Sequence, residues 1–197
     1  MTNRLLNFIM ASSLLFLTGI AATWDYDPFP AKVDRIVAPD PEADQLFQNQ
    51  ERLLREAELD RKLEQEKQYE CMVTNLWFEA RGQPLIGMYA VAWVVKNRIE
   101  NKNFPNTICS VITSRSSSSC AFSWYCDGKS DQPVLRNKMD RVAMQKIMKI
   151  AKEFSTGTVT LPDITEGALY FHAIKVDPNW STVYNQTVVI NNHRYYR

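Results

Sequence analysis

The sequence predicts an α+β domain that is rich in helix and carries a small antiparallel sheet near its C-terminal end. Two observations lead to this prediction. Apolar residues recur with helical spacing through most of residues 71–154, whereas the clearest stretches with strand character occur after residue 168. Helices followed by a late group of strands are typical of the α+β class. With 197 residues, the chain is expected to hold one domain plus extensions.

The first 70 residues divide into three segments that precede this domain. Residues 1–22 carry Arg4 and a mostly apolar run at 5–22, which is typical of a signal peptide or of a retained signal anchor. Residues 23–41 contain four prolines and are expected to form an extended linker. Residues 42–70 lack Gly and Pro and mix both charges, which predicts a solvated spacer helix of roughly 40 Å. Weak self-association of this helix is the alternative.

These segments predict that the protein is exported. We expect the domain at 71–197 to lie in the periplasm, either free or held at the inner membrane through residues 5–22. The apolar run is long enough for either outcome, so the choice between cleavage and retention stays open.

Net charge differs sharply between the two parts of the chain. Residues 1–70 hold 8 basic and 13 acidic side chains, a net charge of −5, whereas residues 71–197 hold 15 and 9, a net charge of +6. A basic domain suits an anionic partner, and peptidoglycan qualifies through its peptide and lactyl carboxylates. Nucleic acid is not expected, because the sequence shows neither a nucleic-acid-binding module nor a stripe of Lys and Arg. A basic surface without a partner is the alternative.

All four cysteines lie in the domain, at Cys71, Cys109, Cys120 and Cys126. An even number of cysteines in an exported domain favours two disulfides, for which three pairings exist. A zinc site is the weaker alternative, because the spacing from Cys120 to Cys126 is poor for ligands and no histidine is near in sequence. We therefore expect no metal and no cofactor.

Helices account for most of the domain in this interpretation. A first helix runs from Cys71 to Arg81, and a second runs from Pro84 to Ile99 with its apolar part at 90–95 buried centrally. A short third helix covers 108–112. The fourth covers 140–154 with Gly157 as its stop, and six side chains are expected to face inward: Val142, Met144, Ile147, Met148, Ala151 and Phe154.

The remaining segments predict the sheet and an irregular region. Residues 169–176 and 183–190 have strand character, and the Asn191-Asn192 pair suits a tight turn into a last strand at 193–196. Residues 120–129 carry aromatic side chains and are expected to be irregular or a short strand.

Glu79 is the leading candidate for a catalytic group. On a helical wheel of residues 72–80, Glu79 lies about 20° outside one continuous apolar arc, which is formed by Met72, Val73, Leu76, Trp77 and Ala80. Gly82 should stop this helix, so Glu79 is expected near a helix C-terminus beside apolar packing. Desolvation and the negative end of the helix dipole both disfavour a charged carboxylate there. A carboxyl group that keeps its proton near neutral pH can serve as a general acid. A salt bridge to Arg81 is the structural alternative.

The motif around Glu79 also resembles the cell-wall hydrolase family that is typified by spore cortex-lytic enzymes of the SleB type. The family pattern E-A-R-G-E-P, followed by G, A-V-A and N-R, has its counterparts here in Glu79-Ala-Arg-Gly-Gln-Pro84, Gly87, Ala90-Val91-Ala92 and Asn97-Arg98. The resemblance continues in order through residues 104–111, 120–129, 167–168, 172–173 and 193–197. It therefore covers residues 71–197.

This resemblance implies a lysozyme-like fold of the lytic transglycosylase kind and cleavage of the MurNAc–GlcNAc bond of peptidoglycan. Glu79 matches the family's catalytic acid. A lytic transglycosylase needs only that carboxyl group, whereas glycoside hydrolysis usually needs two. The family's second motif glutamate is Gln83 here, which cannot act as a base, so Asp127 is the remaining candidate base for a water-dependent muramidase.

Five further residues are candidates for substrate binding. The family places the segment that holds Ser123 and Trp124 near the cleft, where the serine would hydrogen-bond the glycan and the indole would stack on a sugar. Tyr170 and His172 match a family His-Tyr-His pattern in which the first histidine is replaced. Asn97 ends the buried helix and is expected to orient a cleft group. The alternatives are core packing for Trp124 and helix capping for Asn97.

Two other classes of function compete with glycan cleavage. A non-catalytic peptidoglycan-binding module would keep the cleft but not need Glu79. An N-acetylmuramoyl amidase would need a metal set or a nucleophile beside a histidine, for which Ser123 with His172 is a weak candidate.

Overall fold

The computed structural model describes residues 40–116 and 119–197, so the predicted signal segment and most of the Pro-rich linker lie outside the described residues. The described elements confirm a helix-rich α+β class with a small three-stranded antiparallel sheet. They are, in order, α1 (Pro41–Ala80), α2 (Leu85–Glu100), α3 (Ile108–Ile112), α4 (Lys138–Thr156), β1 (Tyr170–Ala173), β2 (Gln186–Ile190) and β3 (His193–Tyr196). Two single turns of 3-10 helix lie at Ser123–Cys126 and Asn179–Thr182.

The first helix is longer than the sequence suggested. A spacer helix ending at Glu70 and a separate domain helix were expected, but α1 continues without interruption through that point. The reason is local, because no glycine or proline separates Gln68 from Ala80. Side chains are exposed through most of residues 52–66, whereas Met72, Leu76 and Trp77 are buried. The start of an independent domain near residue 71 stays a prediction.

By its internal contacts the chain divides into two units, Met1–Phe47 and Gln48–Arg197. Of the first unit, only residues 40–47 are described, and 41–47 are exposed helix. Every feature below belongs to the second unit.

Helix α2 forms the centre of the core, as its uniformly apolar sequence predicts. Residues 87–95 are all buried, and α1, α3 and α4 contribute the side chains around them. Trp93 packs edge-on against Phe154 of α4, with ring centroids 5.3 Å apart. Close packing explains Gly87, where an added Cβ would come within 2.8 Å of Asn191 Nδ2 and 3.0 Å of Gln83 Cβ.

Helix α4 has clear start and stop signals. Asn137 caps it by accepting a hydrogen bond from the backbone N–H of Asp140, and Gly157 ends it in the left-handed region with φ 71°. Ile147, Ala151 and Phe154 are buried as expected, and Ile150, which was not among the six expected side chains, is buried too. The expectation for Met148 is wrong, because its side chain is 47% exposed.

The outward face of α4 also corrects the expectation about charge. Lys138, Arg141, Lys149 and Lys152 are all exposed on one side of the helix. The sequence therefore does contain a stripe of basic residues, although its members are separated in the linear order and become neighbours only through the 3.6-residue repeat.

The sheet has β3 in the middle, in the order β1-β3-β2, and both pairings are antiparallel. The predicted turn joins β2 to β3, and Asn191 adopts a positive φ of 52° there. Strands β1 and β2 are shorter than the predicted stretches, because Val176 turns back to bond Ala173 and residues 179–182 form a helical turn. Tyr195 of β3 is fully buried against α2 residues Ala90 and Val94.

The four cysteines form two disulfides, as expected. Cys71 of α1 pairs with Cys109 of α3, with Cα atoms 5.3 Å apart, and Cys120 pairs with Cys126. The first bond is supported by the side chain of Gln68, which accepts a hydrogen bond of 2.8 Å from the backbone N–H of Cys109. Among the described residues, no helix has both the length and the apolar character needed to cross a membrane.

The two disulfides are expected to differ in their contribution to stability. The Cys71–Cys109 bond closes a loop with a sequence separation of 38, against 6 for Cys120–Cys126. Loop-closure entropy predicts that replacing the first pair with serine lowers the free energy of unfolding by about 4 kcal/mol and replacing the second by about 2 kcal/mol. Urea unfolding of the two double variants measures both values. Equal losses, or no loss from the first pair, would contradict this account.

Candidate active site

Glu79 lies in the last turn of α1, at the point where the buried face of the helix meets a cleft. Leu76, Trp77 and Ala80 of the same turn are buried. The helix ends at Ala80, whose carbonyl oxygen accepts a hydrogen bond of 2.9 Å from the N–H of Gln83. The side chain of Glu79 is partly buried and lines the cleft. The predicted helix-end position is therefore present.

The carboxyl group of Glu79 is not neutralised by its nearest cation in sequence. Arg81 instead donates a hydrogen bond of 3.2 Å to the carbonyl oxygen of Trp77 and lies over the Trp77 ring. The ion pairs found among the described residues do not include Glu79. The salt-bridge alternative for Glu79 is thus not what the structure contains.

Burial raises the pKa of Glu79 from its ordinary value of 4.5 to about 7, and the positive charge of Arg98 opposes this shift. A charged carboxylate loses hydration when it is buried, whereas the neutral acid loses little, so desolvation favours the protonated form. Near neutral pH the carboxyl group therefore carries a proton in a substantial fraction of molecules. A group with this proton affinity is suited to general acid–base catalysis.

The cleft beside Glu79 has a volume of about 830 Å³. Its walls come from residues 103–105 after α2, residues 114–116 and 119–123, strand β1, and the residues Trp180 and Tyr184. Arg98 of α2 and His193 of β3 complete the lining. A cleft of this size accommodates a small oligosaccharide segment or a compound of drug size.

Arg98 is a site residue that sequence analysis did not single out, although it lies in the Asn97-Arg98 motif. It is buried, with 5% of its surface exposed. Its Nε donates a hydrogen bond of 2.8 Å to the carbonyl oxygen of Leu169, and its guanidinium lies 5.0 Å from the ring centre of Phe122 and 5.8 Å from that of Tyr170. Burial lowers the pKa of Arg98 to about 10, so the residue keeps its charge at neutral pH.

One wall of the cleft is aromatic, and two of its members were missed from sequence. Tyr170 stacks on Tyr184 with ring centroids 4.2 Å apart, and Trp180 lies 5.9 Å from Tyr170. Burial and the contact with Tyr184 raise the pKa of Tyr170 to about 12, so its hydroxyl stays protonated. Trp180 and Tyr184 come from a helical turn and a loop without a local pattern, so only the fold brings them to the site.

Ser123 and His172 both line the cleft, but they differ in whether their polar atoms are already hydrogen-bonded. Ser123 is exposed at the start of the 3-10 turn. Both ring nitrogens of His172 are engaged, Nδ1 at 2.9 Å from the carbonyl oxygen of Ala173 and Nε2 at 2.9 Å from the hydroxyl oxygen of Tyr196. Because Nδ1 must donate to a carbonyl, Nε2 accepts from the tyrosine. His172 therefore has no nitrogen available to activate Ser123.

Two predicted substrate-binding residues are placed away from the cleft lining. Trp124 is buried, donates a hydrogen bond of 3.1 Å to Asn75 Oδ1 and stacks on Phe78. The amide of Asn97 donates to Asp163, Thr165 and the carbonyl oxygen of Ala168, and thereby fixes the loop before β1. Core packing therefore describes Trp124. Asn97 supports the cleft only indirectly, through the loop that ends at Leu169.

Of the carboxylates in residues 40–116 and 119–197, Glu79 is the one that lines the cleft. Asp127 is absent from the lining, pairs with Lys129 at 3.2 Å, and has its pKa lowered by hydrogen bonds from that residue. Gln83, which stands at the family's second glutamate position, packs over Gly87. Across the described part of the chain, no cluster of three or more His, Cys, Asp or Glu side chains is arranged to hold a metal ion.

A family model described as Cell Wall Hydrolase matches residues 82–196. The chain belongs to this cell wall hydrolase family. The matched region contains Arg98, Tyr170 and His172, whereas Glu79 lies three residues before its start.

Individual proteins are similar to parts of this chain. Spore cortex-lytic enzymes of Bacillus cereus are 42% identical over 43 residues, which is 22% of this chain. The matched stretch spans 17% of the length of these curated relatives. The crystal structure of the catalytic domain of the Bacillus cereus SleB protein is 25% identical, with a TM-score of 0.47, and covers 67% of this chain and 91% of that one. The catalytic domain of the germination-specific lytic transglycosylase SleB from Bacillus anthracis is 24% identical, with a TM-score of 0.48, and covers 66% and 93%.

The raised proton affinity of Glu79 makes a prediction about stability. The folded protein holds this proton up to a pKa of about 7, whereas the ordinary value is 4.5, so stability falls as pH rises between these values. Replacing Glu79 with Gln removes the charged form. We expect Glu79→Gln to unfold like the wild type at pH 4 and to be more stable at pH 8, by at most about 3 kcal/mol.

Urea unfolding at the two pH values tests this prediction. Glu100→Gln is the matched control, because Glu100 is an exposed glutamate near the end of α2 and should give no such gain at pH 8. A Glu79→Gln variant that is less stable than the wild type at pH 8 would contradict a desolvated carboxyl group.

Proposed function

We propose that this protein cleaves the glycan strands of peptidoglycan at the MurNAc–GlcNAc bond, as a lytic transglycosylase with Glu79 as its catalytic residue. The observation that carries the proposal is the single carboxyl group in the described cleft lining, with burial raising its pKa to about 7. Membership of the cell wall hydrolase family supports peptidoglycan as the substrate.

In the first step, protonated Glu79 donates its proton to the glycosidic oxygen. The bond from C1 of the muramyl sugar to that oxygen breaks, positive charge develops on the sugar ring, and the GlcNAc portion leaves with the proton. Glu79 is then a carboxylate in a partly buried site. The positive charge of Arg98, which favours the ionised form of Glu79, stabilises this state and so lowers the cost of giving up the proton.

In the second step, the carboxylate of Glu79 takes the proton of the C6 hydroxyl of the same muramyl sugar. The C6 oxygen forms a bond to C1, which closes a 1,6-anhydro ring, and Glu79 is restored to its acid form. No water molecule is consumed. One carboxyl group therefore suffices, which fits a cleft whose described lining offers one.

Substrate binding is proposed to use the aromatic wall and the polar groups near it. The stacked pair Tyr170 and Tyr184, with Trp180 beside them, offers apolar faces for the axial C–H groups of sugars. Ser123 is exposed at the rim and can hydrogen-bond glycan hydroxyl or acetamido groups. Both ring nitrogens of His172 are hydrogen-bonded, so we propose that His172 forms part of the cleft wall and does not transfer a proton.

The other functions considered from sequence are supported less well. A water-dependent muramidase needs a second carboxylate as base, and Asp127 is paired with Lys129 outside the lining. An amidase would need a metal set or a free histidine, and His172 is not free. A module that only binds peptidoglycan would not need a carboxyl group whose pKa is raised to about 7. Action outside the cytoplasm, in a periplasm, and inner-membrane attachment through residues 5–22 remain part of this proposal.

Removing the proton of Glu79 is expected to remove activity. Glu79→Gln keeps the size of the side chain but cannot donate, so turnover of purified sacculi should fall by about 10²- to 10⁴-fold, the usual contribution of a positioned acid. Asp127→Asn is the matched control and should retain activity near the wild-type level. Mass spectrometry of the released muropeptides should show anhydromuramyl ends.

Three results would count against this assignment. Near-wild-type turnover by Glu79→Gln would remove Glu79 from the mechanism. Reducing ends together with an inactive Asp127→Asn would indicate water attack with Asp127 as base. Free peptides with intact glycan would indicate an amidase.

The charge of Arg98 is expected to set the pH range of activity. Glu79 must be protonated to act, so kcat/KM should fall above a pH near 7. Because Arg98 lowers the pKa of Glu79, Arg98→Met should move this alkaline limb to higher pH and reduce kcat, whereas Arg98→Lys should keep it near its original place. Arg115→Met is the control, since Arg115 also lines the cleft but lies over Tyr125. An unchanged limb in Arg98→Met would refute this role.

A further inference from the structure

The outer face of α4 combines a single sign of charge with exposed apolar side chains, and neither is used by the proposed reaction. We propose that this face docks the domain onto an anionic phospholipid surface. The inference goes beyond the proposed function and does not depend on it.

Four of the five basic residues of α4 form a continuous stripe, and the fifth, Lys146, is exposed about 60° to one side of it. With 100° per residue, Lys138, Arg141, Lys149 and Lys152 fall within an arc of about 80°, and all four are exposed. Gln145 lies in the middle of this arc and is exposed too. No acidic residue of α4 falls within the arc, so the whole stripe presents positive charge.

The two acidic residues of α4 lie outside the stripe and are bonded to neighbours. Asp140 accepts a hydrogen bond of 2.8 Å from the backbone N–H of Arg136, at the start of the helix. Glu153 accepts one of 2.7 Å from the hydroxyl of Tyr89, and its distance of 4.0 Å to Lys149 leaves that lysine directed largely to solvent. The positive charge of the stripe is therefore little compensated within its own helix.

Exposed apolar side chains flank the stripe on both sides. Met148, which is 47% exposed, lies about 20° beyond one edge of the basic arc, and Met139, which is 74% exposed, lies about 80° beyond the other edge. Val134 and Leu135, which are 56% and 43% exposed, precede the helix and adjoin Arg136. Solvated helix faces commonly carry charge, but charge alone does not explain four large apolar side chains left in water beside it.

This combination selects a lipid surface over the other anionic partners. A helix that lies in a membrane interface places basic side chains at lipid phosphates and inserts adjacent apolar side chains at the boundary with the acyl chains. An anionic wall polymer offers negative charge but no apolar phase for Met139 and Met148. The face also leaves the cleft free, because no α4 residue is among those that line it.

Lysine footprinting on the full-length chain tests the proposal directly. The protein is mixed with phosphatidylcholine vesicles, with or without phosphatidylglycerol, and its lysines are acetylated and counted by mass spectrometry. Insertion of residues 5–22 would act in both lipids, so the difference between them isolates the effect of charge. We expect phosphatidylglycerol to protect Lys138, Lys149 and Lys152 severalfold, while the exposed Lys102 and Lys175 react unchanged.

A matched pair of variants measures the affinity. Lys138→Gln with Lys152→Gln should reduce the preference for anionic over zwitterionic vesicles on the order of 30-fold, from two charges near the surface. Lys102→Gln with Lys175→Gln removes the same charge elsewhere in the domain and should change the preference little. Added salt should weaken binding of the wild type and of this control.

Two outcomes would overturn the proposal. Equal reactivity of the α4 lysines in both kinds of vesicle would show a solvated face without a partner. Protection of the same lysines by purified sacculi, but not by anionic vesicles, would assign the face to the cell wall instead.

Discussion

The site depends on one constraint, which is that a carboxyl group is held partly out of water at the end of a buried helix. The last turn of α1 is fixed by Leu76, Trp77 and Ala80 in the core, so Glu79 cannot move away from the cleft without unpacking them. The α1–α3 disulfide fixes the same helix at Cys71, about two turns before Glu79. Burial then raises the pKa of Glu79 to about 7. The packing of α1 therefore determines both the position of Glu79 and its proton affinity.

Arg98 limits how far burial raises the pKa of Glu79. A desolvated carboxyl group with no nearby positive charge would hold its proton too strongly to release it. The guanidinium is itself buried, and its position is set by the carbonyl oxygen of Leu169 and by the rings of Phe122, Phe104 and Tyr170. Asn97, one residue earlier, fixes the loop that presents Leu169. Asn97 and Arg98 therefore bond to adjacent carbonyl oxygens of that loop, and both hold it in place beside the cleft.

Sequence patterns predicted the elements better than they predicted the site. The end of α1 shortly before Gly82, the end of α4 at Gly157, the buried middle of α2 and the turn at Asn191 follow from local rules, and the structure contains them. The position of Glu79 followed from the same helical periodicity. In contrast, the wheel of a single helix cannot say which long-range neighbour covers a residue. Asn97 was expected at the cleft from its place at the end of a helix, and Trp124 from the family resemblance, but long-range contacts hold both away from the cleft lining. Trp180 and Tyr184 were missed because only long-range contacts bring them to the cleft. The basic stripe of α4 was within reach of periodicity and was overlooked because its members are not adjacent in sequence.

The central claim is that Glu79 carries a proton near neutral pH, and direct titration of its carboxyl group tests this most closely. Protein labelled with ¹³C at glutamate carboxyl carbons is followed by NMR as pH rises, and Glu79→Gln identifies the resonance that disappears. This account predicts that the missing resonance titrates in the wild type with a midpoint near pH 7. A midpoint near the ordinary glutamate value of 4.5 would contradict it.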